Sequence, residues 1–345
     1  MAVANIPVID ISDPKLNEAQ VARDLVEAAI EHGFIYVKNT GGDIPIDAVQ
    51  GAFDLSKELF AAPLEEKQQC RIQKNNMGWA GMQYESLDPK NQRSGDFKEV
   101  FNFGEFVDGQ PQQPMPPSIT HRTPQINAFY DHCYDLALKL NHLLGIGLDV
   151  NPPTFFRDAH LRANGASSSI LRLLYYPPLP LTTAQPEVDV RAGAHSDYGS
   201  LTMLFRLPRQ PGLEILLPSN EWVPVPVSPP GTESDHAPPI LVNIGDLLSY
   251  WTDGLLRSTV HRVVFSGGEN GVKGETDTEA RYSIAYFCHP VGTTPLTAVP
   301  SERVRAFKGQ GGTKEGDKGK VLTADEHLMM RLKASYLQLY DEKDK

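Results

Sequence analysis

After residue 166 the sequence consists of short runs of strand-forming residues, separated by prolines, glycines and other turn residues. Many short strands at fairly regular spacing are typical of a β-sandwich or a barrel. This part of the chain is therefore predicted to be a mainly β unit. The predicted strands are residues 169–176, 201–205, 213–217, 221–227, 240–244, 247–250, 261–265 and 281–287.

The first half of the chain shows helical patterns instead. Apolar side chains recur at helical spacing in four segments, and Thr123 and Pro124 suit the cap and the first turn of the longest one. Short strands are predicted at 6–11 and 34–38, whereas the segment 75–106, interrupted by glycines, predicts irregular loops that could wall a binding site. The predicted helices are residues 18–32, 46–60, 63–70 and 124–144.

These patterns divide one structural unit into three regions. Residues 1–165 are predicted to form a mainly helical support region, and residues 166–295 a β core. Residues 296–345 are expected to form a C-terminal loop and a helix at 324–340. With 40% hydrophobic and 22% charged residues, the composition is that of an ordinary globular protein.

Charge and cysteine content exclude several classes of protein. The formal net charge of −11 argues against a nucleic-acid partner, whose phosphates would require a basic face. The three cysteines are odd in number and widely spaced, which suits a reducing compartment. We find neither a signal-peptide pattern nor an apolar run of membrane length. The sequence therefore predicts a cytoplasmic protein with no nucleic-acid partner, no membrane contact and no evident protein partner.

Residues 193–205 contain a candidate metal site. Alternate side chains of a strand share a face, so His195 and Asp197 could hold one ion. His261 begins another predicted strand and is the candidate third ligand, because most other histidines fall in predicted helices or loops. Two imidazoles and one carboxylate suit non-haem Fe(II) and leave positions open for a cosubstrate and dioxygen. Zinc hydrolases use the same ligand types, so the ligands alone do not determine the metal.

Arg281 and Ser283 form a second constellation. They share one face of the predicted strand at 281–287. A buried guanidinium beside a hydroxyl is a bidentate receptor for a carboxylate. The pair therefore suits the remote end of a dicarboxylate cosubstrate.

In this order and spacing, His195-x-Asp197, His261 and Arg281-x-Ser283 resemble the iron- and 2-oxoglutarate-dependent dioxygenases of the isopenicillin N synthase type. The resemblance covers nearly the whole chain. Three further segments resemble that family, namely residues 5–11, 95–103 and 245–251.

This resemblance implies a fold that is mainly β with supporting helices. The family's fold is the double-stranded β-helix, a distorted, cupin-like jelly-roll barrel. The resemblance also implies His195, Asp197 and His261 as the catalytic Fe(II) ligands. Arg281 and Ser283 would hold the distal carboxylate of 2-oxoglutarate.

Two further residues follow from the resemblance. Tyr176 matches the family tyrosine that helps to hold the cosubstrate. Plant members commonly have asparagine at the position of Leu174, so one polar contact near the cosubstrate is expected to be missing. The implied reaction uses O2 and converts 2-oxoglutarate to succinate and CO2. It oxidises a C–H bond of a small metabolite of secondary metabolism, by hydroxylation, desaturation or ring rearrangement, with ascorbate as a candidate reductant.

The substrate contacts are predicted from strand parity. If Tyr176 faces the interior, Arg172 does too, and it could meet an acidic or phenolic substrate or form a salt bridge at the barrel mouth. Phe287 shares a face with Arg281 and could wall an aromatic or apolar substrate, or simply belong to the core. Further candidates from the irregular segment are Tyr84, Asn102 and Phe103.

Two alternatives to the dioxygenase remain. An oxidase of the same fold could omit 2-oxoglutarate and take electrons from its substrate or from ascorbate. A barrel used for binding or structure could carry His195, Asp197 and His261 as incidental polar residues or as a zinc site.

Overall fold

The strands that the structure describes form two sheets. The computed structural model describes residues 3–12, 17–92, 94–178, 190–265, 279–307 and 321–335. Within these ranges one sheet has eight strands and the other has four. The strands are β1 (Val8–Ile9), β2 (Phe34–Val37), β3 (Gly78–Ala80), β4 (Glu99–Phe103), β5 (Ile170–Tyr176), β6 (Ala192–His195), β7 (Leu201–Arg206), β8 (Leu213–Leu216), β9 (Trp222–Pro224), β10 (Ile240–Ile244), β11 (His261–Val263) and β12 (Arg281–Cys288).

The larger sheet has the order β1-β2-β10-β7-β12-β5-β4-β3, and the smaller has the order β6-β11-β8-β9. The pair β1 and β2 is parallel, whereas the other paired strands named here run antiparallel. An apolar cluster joins the two sheets, with Leu174 and Leu241 from the larger one and Leu213 and Val263 from the smaller one. The two packed sheets form the double-stranded β-helix that the resemblance implies.

Strand β5 shows how the larger sheet separates two environments. Leu171 and Leu173 belong to the apolar cluster shared with the helices. Arg172, Leu174 and Tyr176 instead line a chamber between the sheets. Successive side chains of a strand point to opposite faces, so one strand supplies both the helix-facing core and the chamber wall.

Helices cover the outer face of the larger sheet. The longest, Thr123 to Gly147, buries the predicted apolar face that includes Ile126, Phe129 and Cys133. The helices are α1 (Glu18–Glu31), α2 (Ile46–Ala61), α3 (Leu64–Gln69), α4 (Thr123–Gly147), α5 (Phe155–Ala159), α6 (Asp246–Trp251), α7 (Glu302–Ala306) and α8 (Ala324–Ser335), with 3-10 helices at Pro117–Arg122 and Arg162–Asn164. Within the described ranges, no helix combines the length and the apolar character needed to cross a membrane.

The prediction of irregular loops at 75–106 was wrong for two segments. β3 and β4 lie there, and β4 pairs with β5 along its whole length. β4 alternates like β5, because Val100 joins the cluster between the sheets while Phe101 and Phe103 face the helices. The flanking glycines obscured a strand that is fixed by its pairing with β5.

The predicted strand at 247–250 was also wrong, because this segment belongs to α6. Leu247, Leu248 and Trp251 are buried at helical spacing, and Asp246 occupies the first turn, where a carboxylate is favourable. A short apolar run does not distinguish a strand from a buried helix by periodicity alone.

Two other expectations concern helix ends. Thr123 does not cap α4, because it is the first helical residue and its hydroxyl donates to the carbonyl of Thr120 at 2.7 Å. The last predicted helix is confirmed over Ala324–Ser335, and residues 336–340 lie outside the described residues.

Candidate active site

His195, Asp197 and His261 come together at one end of the smaller sheet. His195 ends β6, His261 begins β11, and the two residues are direct partners in the antiparallel pair. Nε2 of each imidazole lies 3.8 Å from Oδ1 of Asp197. One ligand atom from each of the three residues lies within 4.8 Å of the others. Asp197 follows the end of β6 rather than lying within the strand, but it still points toward the same centre.

Backbone carbonyls orient both imidazoles. Nδ1 of His195 lies 2.7 Å from the carbonyl oxygen of Gly193, and Nδ1 of His261 lies 3.1 Å from that of Thr259. Because a carbonyl only accepts hydrogen bonds, each Nδ1 carries the proton and each Nε2 presents its lone pair to the centre. This is the arrangement by which metal-binding histidines are commonly held.

Two hydrogen bonds also fix the carboxylate of Asp197. Asn243 on β10 donates to Oδ2 at 2.7 Å, and the hydroxyl of Thr202 donates to the same carboxylate. Burial alone would raise the pKa of Asp197, but the imidazoles of His261 and His195 and these two hydrogen bonds lower it below its usual value. The carboxylate is therefore ionised and can act as an anionic ligand.

The protonation of His195 favours metal binding as well. Burial, together with the neighbouring His261, lowers the pKa of His195 to about 4. The imidazole is therefore neutral at physiological pH, as a metal ligand must be. Two imidazoles and one carboxylate form a donor set that fits non-haem Fe(II).

Arg281 and Ser283 lie in the chamber that also contains the three candidate ligands. Both side chains are buried on β12, and Nε of Arg281 donates to the carbonyl of Pro211 at 3.1 Å. Tyr176 is the cross-strand partner of Arg281, and the guanidinium carbon lies 4.8 Å from the centre of its ring. A fixed guanidinium beside a hydroxyl in a buried chamber suits a carboxylate.

The chamber continues past His195 and Asp197 into a second space. Its wall includes Arg172, and the guanidinium carbon of Arg172 lies 5.5 Å from the centre of the Phe287 ring. The other lining residues are Asn76, Leu87, Ser168, Ile170, Ser196, Tyr198, His289, Leu328 and Leu332.

Buried charges surround Arg172. Nε of Arg172 donates to Oδ1 of Asn102 at 2.8 Å, and its Nη1 lies 3.3 Å from Glu85. Glu85 lies 3.2 Å from Nζ of Lys98, which also pairs with Asp96. Burial alone would lower the pKa of Lys98, but the two carboxylates raise it, so the amine stays protonated. The formal charges of these two cations and two carboxylates cancel.

Two family profiles match most of the chain. One describes the N-terminal region of the non-haem dioxygenases in morphine synthesis and matches residues 6–124. The other describes the 2OG-Fe(II) oxygenase superfamily and matches residues 167–290. This range includes His195, Asp197, His261 and Arg281. The chain belongs to the Fe(II)- and 2-oxoglutarate-dependent dioxygenases.

Individual relatives are similar to the chain over most of their lengths. The dioxygenase is 35% identical to UPF0676 protein C1494.01 of Schizosaccharomyces pombe, over 88% of this chain and 87% of that protein. It is 28% identical to the 2-oxoglutarate-dependent dioxygenase traH of Penicillium crustosum, over 89% and 94% of the two chains. The crystal structure of a full-length Neurospora crassa protein in complex with alpha-KG and thymine superposes with a TM-score of 0.75 at 28% identity, covering 96% of this chain and 97% of that one.

These findings confirm the predicted fold and the predicted class of enzyme. The dioxygenase uses Fe(II), 2-oxoglutarate and O2. The assignment of individual residues to these roles stays a prediction. The division into regions at residues 165 and 295 also stays a prediction, although β1 to β4 show that the first region contributes strands to the larger sheet.

The residues predicted to contact the substrate lie in different surroundings in the structure. Arg172 and Phe287 line the second space. Asn102 is fully buried behind Arg172, and Phe103 lies in the core shared with the helices, so neither lines that space. Tyr84 is 50% exposed and does not line it either.

Several residues of this site were not predicted from the sequence. Asn243 is a lone polar residue in the apolar strand β10. Because a buried amide requires a hydrogen-bond partner, this isolated polar position could have indicated a residue of the site. Lys98 and Glu85 carried no comparable signal. Leu328 and Leu332 were missed because the sequence does not reveal where the last helix docks.

Proposed function

We propose that His195, Asp197 and His261 bind the Fe(II) of this dioxygenase, and that Arg281, Ser283 and Tyr176 hold the distal carboxylate of 2-oxoglutarate. One observation carries the proposal. Three potential ligand atoms lie within 4.8 Å of one another in the chamber that also contains the buried Arg281 and Ser283. A metal centre and a carboxylate receptor in one chamber are what a dicarboxylate cosubstrate requires.

The side chains act by positioning and by excluding water. Arg281 and Ser283 would fix one end of 2-oxoglutarate, so that the other end reaches the metal in a constant orientation. When bound, Fe(II) together with 2-oxoglutarate and O2 supplies the oxidation of a substrate C–H bond, with release of succinate and CO2. Leu174 and Phe287 line the chamber and help to keep water away from the reacting groups.

The substrate that fits the second space best is a small, uncharged polar molecule. Arg172 can donate a hydrogen bond there, but its charge is already balanced by Glu85 and the neighbouring ion pair. A carboxylate substrate would meet no excess positive charge from this cluster. The presence of thymine in the Neurospora crassa structure supports a small, uncharged substrate.

The type of reaction depends on which C–H bond of the substrate reaches the candidate metal centre. Phe287 and Leu332 give the second space apolar walls, which suit the C–H bonds of a small organic metabolite. The outcome is a hydroxylation, a desaturation or a ring rearrangement.

The proposal is tested by anaerobic optical titration of the purified protein. Fe(II) followed by 2-oxoglutarate is expected to produce a weak metal-to-ligand charge-transfer band in the visible region. Succinate in place of 2-oxoglutarate is the control and should give no such band. Bound iron without the band would overturn the cosubstrate assignment and favour the oxidase that omits 2-oxoglutarate.

The substrate is found by screening small metabolites for substrate-dependent succinate release, with ascorbate present as reductant. Pairs of compounds in which one member has an amide where the other has a carboxylate test whether the substrate is uncharged. Preferential turnover of the carboxylates would contradict the neutral substrate.

A further inference from the structure

Helix α8 forms one wall of the space that the proposed function assigns to the substrate. Leu328 and Leu332, one helical turn apart, line that space together with Arg172 and Phe287. Leu332 is buried, whereas Met329 on another face of the helix is 38% exposed. The helix therefore turns an apolar face toward the chamber and a solvated face outward.

The first turn of α8 is joined to the β core. The backbone N–H of Ala324 donates to the carbonyl of Thr294, and that of Asp325 donates to the carbonyl of Gly292, both at 3.0 Å. The hydroxyl of Ser168 donates to the carboxylate of Asp325 at 3.2 Å. These contacts position the start of the helix but do not hold its later turns.

Arg331 holds the later part of α8. Its guanidinium forms an ion pair with the carboxylate of Asp246 and lies 3.4 Å from the hydroxyl of Ser196. The guanidinium carbon is 5.7 Å from the centre of the Tyr198 ring. Arg331 thus contacts the residues on both sides of Asp197.

Asp246 is a fixed anchor rather than a mobile surface carboxylate. The hydroxyls of Ser258 and Ser196 donate to it at 2.7 and 3.0 Å, and its own backbone N–H donates to the carbonyl of Asp197 at 2.7 Å. Gly245 permits this approach, since a Cβ there would lie 2.2 Å from the carbonyl oxygen of Gly199. Exposed ion pairs usually contribute little, partly because two mobile side chains must be ordered. Here one partner is already ordered.

We propose that the Arg331–Asp246 pair is a latch that keeps α8 over the substrate space, and that Leu328 and Leu332 determine which substrates are accepted. The second part rests on the proposed function, whereas the latch can be tested on the protein alone. Arg331 is a positioning residue, because it acts through the helix.

The latch is tested by hydrogen exchange of the metal-free protein. Arg331→Leu is expected to accelerate exchange of the amides in α8 by roughly fivefold, the upper range for loss of one ion pair. Arg331→Lys keeps the charge and should restore part of the protection. The matched control is Arg305→Leu, because Arg305 is 65% exposed in α7 and pairs only at 3.9 Å with Glu302. Unchanged exchange of α8 in Arg331→Leu would overturn the latch.

Access to the chamber provides a second measurement on the Fe(II)-loaded protein. Arg331→Leu should accelerate the removal of Fe(II) by 2,2′-bipyridine, and Leu328→Trp should slow it by filling the space. Met329→Trp is the control for the added indole and should leave the rate unchanged. Equal rates in all variants would overturn the role of α8 as a wall.

Specificity is tested with any compound that the succinate screen identifies. Leu328→Trp should raise the KM of that compound several-fold, while the optical titration with 2-oxoglutarate stays unchanged. An unchanged KM would overturn the specificity role of Leu328. If the wild-type protein lacks the charge-transfer band, the proposed function fails, but the hydrogen-exchange result on the latch still stands.

Discussion

His195 and His261 lie directly opposite each other on the paired strands β6 and β11, with ring centroids 4.3 Å apart. Each Nδ1 faces a backbone carbonyl, so the two Nε2 atoms converge on Oδ1 of Asp197. The residues are distant in the chain, and cross-strand register brings them together. The candidate iron site is therefore a product of the pairing of two short strands.

Replacing Asp197 by alanine is expected to abolish substrate oxidation. Fe(II) affinity should fall by more than about 100-fold, because even residues behind metal ligands commonly contribute roughly 10- to 100-fold. Anaerobic Fe(II) titration measures the affinity, and circular dichroism checks that the barrel stays folded. Turnover at the wild-type rate would refute the assignment of Asp197 as a ligand.

Asn243→Leu is expected to weaken Fe(II) binding by roughly tenfold without removing a ligand. The variant loses the 2.7 Å hydrogen bond that orients the carboxylate of Asp197. Asn141→Leu is the matched control, since Asn141 is equally buried but donates within α4, to the carbonyl of Ala137. Equal Fe(II) affinities for the two variants would show that the orientation of Asp197 does not depend on Asn243.

Arg281→Leu should raise the concentration of 2-oxoglutarate needed for half-maximal succinate release by on the order of 100-fold, as expected when a buried charge loses its partner. Arg281→Lys should be intermediate, because an ammonium keeps the charge but lacks the planar fork. Fe(II) affinity measured without 2-oxoglutarate should stay unchanged. An unaltered 2-oxoglutarate requirement would favour the oxidase that omits this cosubstrate.

The sequence predicts well those features that depend on local periodicity. Alternation along β5 correctly predicts that Arg172 and Tyr176 share the interior face, and helical spacing correctly predicts the buried face of α4. It fails at 247–250, where a short apolar run suits a strand as well as a helix.

Contacts that depend on long-range packing could not be predicted from local patterns. Asn243 reaches Asp197 only because β10 pairs beside β7 in the larger sheet. The balance of charge around Arg172 depends on Glu85 and Lys98, which lie outside any regular strand. Of the two alternatives for Arg172, the salt bridge is present in the structure, whereas the contact with a substrate stays a prediction for a residue that lines the second space.

Arg172→Met is expected to raise the KM of the substrate by roughly tenfold or more, since a hydrogen bond to a charged group contributes about 1.5–3 kcal/mol. The methionine retains much of the apolar bulk against Phe287, and Glu85 keeps its contact with Lys98. The 2-oxoglutarate dependence should not change. Steady-state kinetics on a compound from the succinate screen would measure both values, and an unchanged substrate KM would remove Arg172 from the substrate contacts.

Stability is expected to fall on acidification because of buried neutral histidines. His160 is buried, with Nδ1 2.6 Å from the carbonyl of Phe156 and Nε2 2.8 Å from the hydroxyl of Ser200. Burial lowers its pKa from 6.5 to about 4. Between these values the unfolded chain takes up a proton that the folded protein does not. The free energy of unfolding should therefore decrease as pH falls through this window, by up to roughly 3 kcal/mol from this residue.

His160→Gln isolates this contribution. Urea unfolding of the metal-free protein between pH 7 and pH 4 measures how the free energy of unfolding depends on pH. The slope of this dependence should be smaller than in the wild type, by an amount that corresponds to the uptake of up to about one proton on unfolding. Its stability at pH 7 should also be lower, because the glutamine does not reproduce both hydrogen bonds. Burial of a neutral His160 would be refuted if His160→Gln kept the full wild-type slope.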